Sequence, residues 1–159
     1  MKERHIKLNK EIWKDIIGYE GLYQVSNLGR VKALDRYKIS NGGKYLIKEH
    51  IMKPNTQGTC DYHRVGLTDN NRIRKYHTIH KLVATAFIEK NNNYREINHK
   101  DGNKHNNCVD NLEWCSRSYN IKHAYDNGLR VTIKDLVNEI DRLNKRVEKL
   151  ENEQNSYKL

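Results

Sequence analysis

Residues 96–128 read EINHKDGNKHNNCVDNLEWCSRSYNIKHAYDNG. An apolar-flanked run ends at His99, a polar loop rich in turn residues follows, and a second short run, Asn111-Leu112-Glu113-Trp114-Cys115, returns from it. This spacing predicts two strands joined by a long loop. A helix comes next. Ser116 or Ser118 can cap it by accepting from its exposed backbone donors, and Gly128 can end it in the left-handed conformation that side chains resist. The order strand, loop, strand, helix brings His99 and the first helical turn, with Asn120, to the same end of one small unit.

That juxtaposition has chemical content. Hydrolysis of a phosphodiester needs a base to deprotonate water near neutral pH, a cation to stabilise the charge that builds on phosphorus, and help for the leaving oxygen. An imidazole meets the first need because its pKa lies close to the working pH. A hard divalent ion held by oxygens, Mg2+ first and Mn2+ second, meets the other two as a Lewis acid. Side-chain oxygens of Asn98, at the strand end, and Asn120, on the helix, are candidate ligands. A lone histidine is usually a hydrogen-bonded structural residue, but the place of His99 between Asn98 and the turn DGNK speaks against that reading. Asn107 is read as a loop-forming residue, favoured wherever backbone turns. Trp114 is read as core rather than as a base-stacking platform.

Upstream, HTIHKLVATAFIEK (77–90) places Ile79, Val83, Ala86 and Phe87 on one helical face, with His77 and His80 as structural residues of that helix. Residues 12–76 read as short strands. GLYQVSNLGRVKAL alternates through Tyr23, Val25, Val31 and Ala33 around a turn at Asn27, Leu28 and Gly29, and YHRVGL and RIRKYH flank Thr68 to Asn71 as a hairpin. Arg30, Lys32, Arg64, Arg72, Arg74 and Lys75 cluster on these strands with tyrosines between them; with Lys104 and Arg117 they are the candidate contacts to nucleic acid, the alternative being an ordinary solvated sheet face.

Composition agrees with a polyanionic partner. The 159 residues suffice for one compact domain and an appendage. Lys and Arg number 30 against 20 Asp and Glu, a formal charge of +10. The excess is uneven: residues 1–130 hold 24 basic and 14 acidic side chains, residues 131–159 six of each. Each cation that neutralises a phosphate releases condensed counterions, although charge alone does not separate DNA from RNA or from simple solubility. No apolar run approaches the roughly 20 residues of a spanning helix, and MKERHIKLNKEIW has no apolar signal core, so the expectation is a cytoplasmic chain without membrane contact. Cys60, Cys108 and Cys115 form no CxxC pair, and their odd count argues against a disulfide framework. A composite site from Cys60, His63, Cys108 and Cys115 lacks the close ligand pairs of structural zinc, which is not expected.

The tail is different in kind. Ile133, Leu136, Ile140, Leu143, Val147 and Leu150 repeat at alternating spacings of three and four. β-branched residues fill every a position and Leu every d position, the combination that favours a parallel two-stranded coil, with Arg146 at g facing Glu151 at e of a second copy. A homodimer through residues 131–159 follows; the alternative is an amphipathic helix folded back on its own domain.

INHKDGNKHNN, NLEW and SYNIKHA together resemble the HNH endonucleases of the phage and intron-encoded homing type, whose ββα-metal unit has this order of elements. IHKLVATAF resembles the helix preceding the motif in that family, and EIWKDIIGYEGLYQVSNLGRVKAL is similar to the nuclease-associated modular domain these enzymes often carry at the N-terminus. The matches span roughly residues 11–128, several spaced segments agreeing in order. The resemblance implies that His99 is the general base. Asn111 takes the middle position, bonding across the loop to hold the backbone of the histidine, and Asn120 the last position, a metal ligand. The residue before the base is commonly an Asp ligand, and here it is Asn98. A neutral amide holds a hard cation less tightly, so Asp101, His123 one turn beyond Asn120, or the phosphate itself is called on to make up the deficit.

The fold class expected is α+β. Residues 1–76 form a β-rich DNA-binding module, residues 77–130 an HNH nuclease domain with its preceding helix, and residues 131–159 a coiled-coil dimerisation helix. The implied activity is metal-dependent cleavage of double-stranded DNA, nicking one strand or, as a dimer, cutting both, by a protein encoded by a phage or mobile element. A descendant that binds DNA without cutting it is the alternative.

Overall fold

The computed structural model describes residues 10–40, 42–56, 61–90 and 92–156; Cys60, and with it the composite zinc set, lies outside them. The chain divides into two compact units, Met1–Asn120 and Ile121–Leu159. The boundary expected at residues 76 and 77 falls inside the first unit, and that at 130 and 131 inside the second.

The first unit opens with β1 (Trp13–Asp15), β2 (Tyr23–Ser26) and β3 (Val31–Ala33), to which β6 (His50–Ile51) adds a fourth antiparallel strand in the order β1-β2-β3-β6. The alternation in YQVS and VKA decides which face is covered: Tyr23, Val25, Val31 and Ala33 are buried. Between β2 and β3 the chain turns through Gly29 at φ +79°, and the Ser26 hydroxyl accepts from the amides of Leu28 (3.3 Å) and Arg30 (3.1 Å). A two-stranded ribbon, β4 (Arg36–Ser40) with β5 (Gly43–Ile47), interrupts the sheet.

The hairpin β7 (Arg64–Thr68) and β8 (Arg74–Thr78) follows, its turn held by the Asp69 carboxylate accepting from the Ile73 amide at 2.8 Å. Its Val65 and Leu67 are buried. The helix expected over 77–90 is α1, Ile79–Phe87. It starts later because His77 and Thr78 pair with Val65 and Arg64 in the ladder, and the Ile79 amide is taken by the His63 carbonyl at 2.9 Å. His77 is therefore a strand residue, its ring 3.0 Å from the Tyr19 hydroxyl. Ile79, Leu82, Val83 and Ala84 form the buried face of α1. Val83, Leu67 and Val25, all at 0% exposure, are the centre of the core; each such side chain contributes about 1.5–3 kcal/mol by leaving water.

β9 (Glu96–His99) and β10 (Leu112–Cys115) pair antiparallel and sit beside α1, with a single 3₁₀ turn, Val109–Asn111, before β10. α2 (Arg117–Asp126) is capped by the Ser116 hydroxyl, which accepts from the Tyr119 amide at 3.2 Å, and it closes at Gly128, φ +66°.

The second unit contains the long helix α3, Ile133–Ser156. A reciprocal capping box starts it: the Thr132 amide donates to the Asp135 carboxylate at 2.8 Å and the Asp135 amide to the Thr132 hydroxyl at 3.1 Å. Its seam residues Ile133, Leu136, Ile140, Leu143, Val147 and Leu150 are all exposed. Among the described residues no helix is long and apolar enough to cross a membrane.

Candidate active site

The loop between β9 and β10 has no apolar core of its own, so its shape comes from polar side chains. Gly102, at φ +71°, lets the chain reverse just after β9 and donate its amide to the His99 carbonyl at 2.8 Å. Asp101 then gathers the loop. One carboxylate oxygen accepts from the Asn103 amide and from Nδ2 of Asn111, both at 2.8 Å, and the other accepts from Nδ2 of Asn106 at 2.7 Å. Asn111 works from the far side: its Oδ1 accepts from the Asp101 amide at 3.0 Å, its Nδ2 also reaches the Asn106 carbonyl at 2.9 Å, and its own carbonyl accepts from the Lys100 amide at 2.9 Å. The two ends of the loop are thereby stapled directly behind His99. Both oxygens of Asp101 belong to this scaffold.

His99, 5% exposed, ends β9 opposite Leu112. Its ring lies between the Tyr62 ring (6.1 Å, stacked) and the His80 ring (5.3 Å, edge-on). Nε2 is 3.2 Å from Oδ1 of Asn107. Because Nδ2 of Asn107 donates to the His105 carbonyl at 3.2 Å, the end of this amide that faces the imidazole is its oxygen, an acceptor. Nε2 must then carry the proton, and Nδ1 is left with the lone pair. Burial pushes the His99 pKa below the ordinary value, against the opposing pull of the Asn107 bond and the Asp101 charge. The ring is thus held neutral, in one tautomer, as a proton acceptor. Asn107, read from the sequence as a loop former, is the residue that sets this state; no local pattern marks an asparagine eight positions away as the partner of a histidine.

Two further amides, on β9 and α2, are each tied to a carboxylate. Asn98 faces Glu113 across the strand pair, and its Nδ2 donates to Oε1 of Glu113 at 2.8 Å. Asn120, on the first turns of α2, donates Nδ2 to Oε2 of Glu96 at 2.8 Å. Each nitrogen is spent on a carboxylate, so each amide is oriented with Oδ1 as its remaining ligand atom. Two neutral oxygens backed by carboxylates suit a hard divalent cation that keeps much of its water and takes other ligands from phosphate. Among the described residues no group of three or more His, Cys, Asp or Glu side chains could hold a metal ion. Glu96 and Glu113 had no place in the sequence reading because their role is to aim neighbours. His123 lies in the second unit and is described there by its carbonyl, which accepts from the Asn127 side chain at 2.8 Å.

The basic candidates fall into two groups. Arg30 is bound through Nε to Glu11 at 2.8 Å and through its terminal nitrogen to the second oxygen of that carboxylate, above the Trp13 ring. Lys32 reaches Glu49 at 3.4 Å and covers the other part of Trp13, and Lys104 reaches Asp61 at 3.4 Å. These three cations already have carboxylate partners. Arg72, Arg74, Lys75 and Arg117 are exposed. In the ladder register Arg64, Tyr76 and Arg74 share the outer face of the β7–β8 hairpin, Lys75 lies on the other face opposite Leu67, and Arg72 sits in the turn at φ +65°.

Comparison with known proteins adds an independent line. The family model of the NUMOD4 motif matches residues 11–68. The DNA endonuclease I-HmuI of Bacillus phage SP01 is 39% identical over 116 residues, 73% of this chain and 59% of that protein. The uncharacterized HNH endonuclease L245 of Acanthamoeba polyphaga mimivirus is 34% identical over 129 residues, 81% of this chain and 34% of its own length. A solved structure of DNA binding and cleavage by the HNH homing endonuclease I-HmuI matches with a TM-score of 0.60 at 32% identity, over 84% of this chain and 68% of the other. This chain therefore spans a little over half of the phage relative and about a third of the viral one.

Proposed function

The chain belongs to the HNH homing endonuclease family, and on that premise we propose that it is a metal-dependent endonuclease that hydrolyses the phosphodiester backbone of double-stranded DNA. The observation that carries the proposal is the setting of His99: buried, Nε2 3.2 Å from Oδ1 of Asn107, with burial holding its pKa below the ordinary value, an arrangement that favours a neutral ring with its lone pair on Nδ1. Such a ring takes a proton from an attacking water at neutral pH. Asp101 and Asn111 fix the loop so that the ring does not wander from the reacting phosphate. Asn98 and Asn120 would hold Mg2+ or Mn2+ through Oδ1. When bound, the ion supplies Lewis-acid stabilisation of the phosphate charge and of the leaving oxygen.

The duplex lies along the exposed cations Arg72, Arg74, Lys75 and Arg117 and the half-buried Arg64. Arg30, Lys32 and Lys104 contribute less, because each must first give up a carboxylate. Helix α3 pairs in parallel with a second copy through its apolar seam, which sets two nicking sites on one DNA, and the reaction takes place in the cytoplasm. Supercoiled plasmid incubated with Mg2+, with Mg2+ plus chelator, and with the His99→Ala protein tests the reading. Nicking that requires Mg2+ and falls by roughly 10²–10⁴-fold in the variant, while DNA affinity persists, is expected. Binding without cleavage by the unaltered chain would instead identify a DNA-binding descendant, a reading that the neutral Asn98 keeps in view.

A further inference from the structure

The turn at residues 26–29 lies inside the NUMOD4 match, yet it packs against the nuclease loop. Three consecutive residues of one meet three of the other in antiparallel order. The Val109 amide donates to the Asn27 carbonyl at 2.8 Å, the Cys108 thiol reaches the Leu28 carbonyl at 3.7 Å, and Gly29 lies flat against Asn107. A Cβ on Gly29 would fall 2.9 Å from Cβ of Asn107 and 3.0 Å from its carbonyl carbon and oxygen. Ser26, Asn27 and Asn107 are all buried, at 0%, 8% and 5% exposure. Asn27 is itself tied to the start of the sheet, its Oδ1 accepting from the Ile12 amide at 2.8 Å.

We propose that this turn is a positioning element for the cleavage reaction: Gly29 is the bare seat on which Asn107 rests, and Asn107 in turn holds the imidazole of His99. The inference rests on the assignment of His99 as the base. Glycine meets two demands at once here. The backbone sits at φ +79°, which asparagine also tolerates, and the contact with Asn107 leaves no room for any Cβ, which asparagine does not. The motif that sequence comparison separates from the nuclease is thus part of the support of its base.

The test uses the full chain with two variants that share a backbone cost and differ in the contact. Gly29→Ala puts a methyl group into Asn107. Gly21→Ala has comparable strain, φ +71°, with nothing within 4 Å of the added carbon. Cleavage of supercoiled plasmid in Mg2+ should fall on the order of 10²-fold in kcat for Gly29→Ala with KM little changed, while Gly21→Ala stays within about twofold of the unaltered chain. Long-range nitrogen–proton correlation spectra give a second readout: the single Nε2–H tautomer of His99 should be lost in Gly29→Ala and kept in Gly21→Ala. Equal losses in both variants, or an intact tautomer in Gly29→Ala, overturn the proposal. If the unaltered chain does not cleave at all, the endonuclease reading fails, and the tautomer comparison still judges the seat. Should Gly29→Ala not fold, Leu28→Gly, which loosens the turn without a collision, is read the same way, with the same tautomer loss expected and an unchanged ring counting against the seat.

Discussion

The loop from His99 to Asn111 and the helix α3 are opposite ways of storing information in a chain. The loop has no periodicity and little to bury, but its polar side chains are committed to one another, Asp101 and Asn111 above all. One conformation satisfies them. The helix has a regular seam and a capping box, but its side-chain contacts are short-range pairs such as Arg142 with Glu139 at 3.4 Å, and the seam is bare. What the loop encodes is complete within the fold; what the helix encodes is left uncovered among the described residues.

Breaking the helix side of that contrast should give the largest effect. Leu143 is the central d residue, and Leu143→Asp places a charge in the seam of both copies of a coil. Association measured by sedimentation should weaken more than about 100-fold, with helix content and plasmid nicking by the first unit retained. A chain that is already monomeric at high micromolar concentration would show that the seam serves some other surface.

The site side should fail by protonation. His80 packs between the Tyr62 ring at 4.7 Å and the His99 ring at 5.3 Å, with Thr78 Oγ1 3.4 Å from Nε2 and no partner among the described residues for its buried Nδ1. Burial lowers its pKa from 6.5 to about 4, helped by the Lys81 charge and by the adjacent His99 ring, with which it would compete for a proton; His63, His77 and His99 are shifted down in the same sense, each chiefly by burial. A folded pKa below the unfolded one means that the unfolded chain binds protons more readily. Stability is therefore full above pH 6.5, falls as the pH drops through 6.5, and levels off near pH 4. For His80 alone this is on the order of 3 kcal/mol. Urea midpoints at pH 7.5 and pH 5 should diverge for the unaltered chain and less so for His80→Phe; equal slopes would show that this ring does not resist protonation. Helix α3 contains no histidine, so association through it should ignore this window.

Within the loop, Asn111→Ala removes the acceptor for the Asp101 amide and the donor to Asp101 and Asn106 together. A stability loss of about 1–3 kcal/mol is expected, with cleavage lost more steeply than DNA binding. Activity that survives with the loop unstapled would mean that β9 and β10 alone place the base.

The same contrast explains what could be read without a structure. The strand–loop–strand–helix order, the β2–β3 turn and the hairpin follow from local rules, and they bring His99, Asn111 and Asn120 into one unit. Helix α1 was expected too early because His77 and Thr78 are claimed by a ladder with Val65 and Arg64, on a strand that no local window ties to them. Asn107 reads only as a loop former, and Glu96 and Glu113 carry no signal, because orienting partners have no pattern of their own. The carboxylates on Arg30 and Lys32 sit 19 and 17 positions away, across a sheet whose pairing no local window reveals, so these cations read as free when the fold has already used them.

Arg74 shows the reverse case, a cation that the fold leaves available and aims. Its guanidinium lies across Gly66, where an added Cβ would fall 2.5 Å from Nε and 2.7 Å from a terminal nitrogen, and it stands 5.5 Å from the centre of the Tyr76 ring. Those atoms are the far end of a flexible chain, so Gly66→Ala displaces the guanidinium at little cost to folding. If the hairpin face meets phosphate, affinity for a duplex should drop only a few-fold and the salt slope should fall by less than one charge, because the displaced cation still reaches the backbone with poorer geometry; Arg74→Ala should lose about one full charge. The double variant should then be no worse than Arg74→Ala alone. Additive losses would mean that glycine at this position serves the strand and not the arginine, and the hairpin face would join α3 as a surface whose use the fold leaves open.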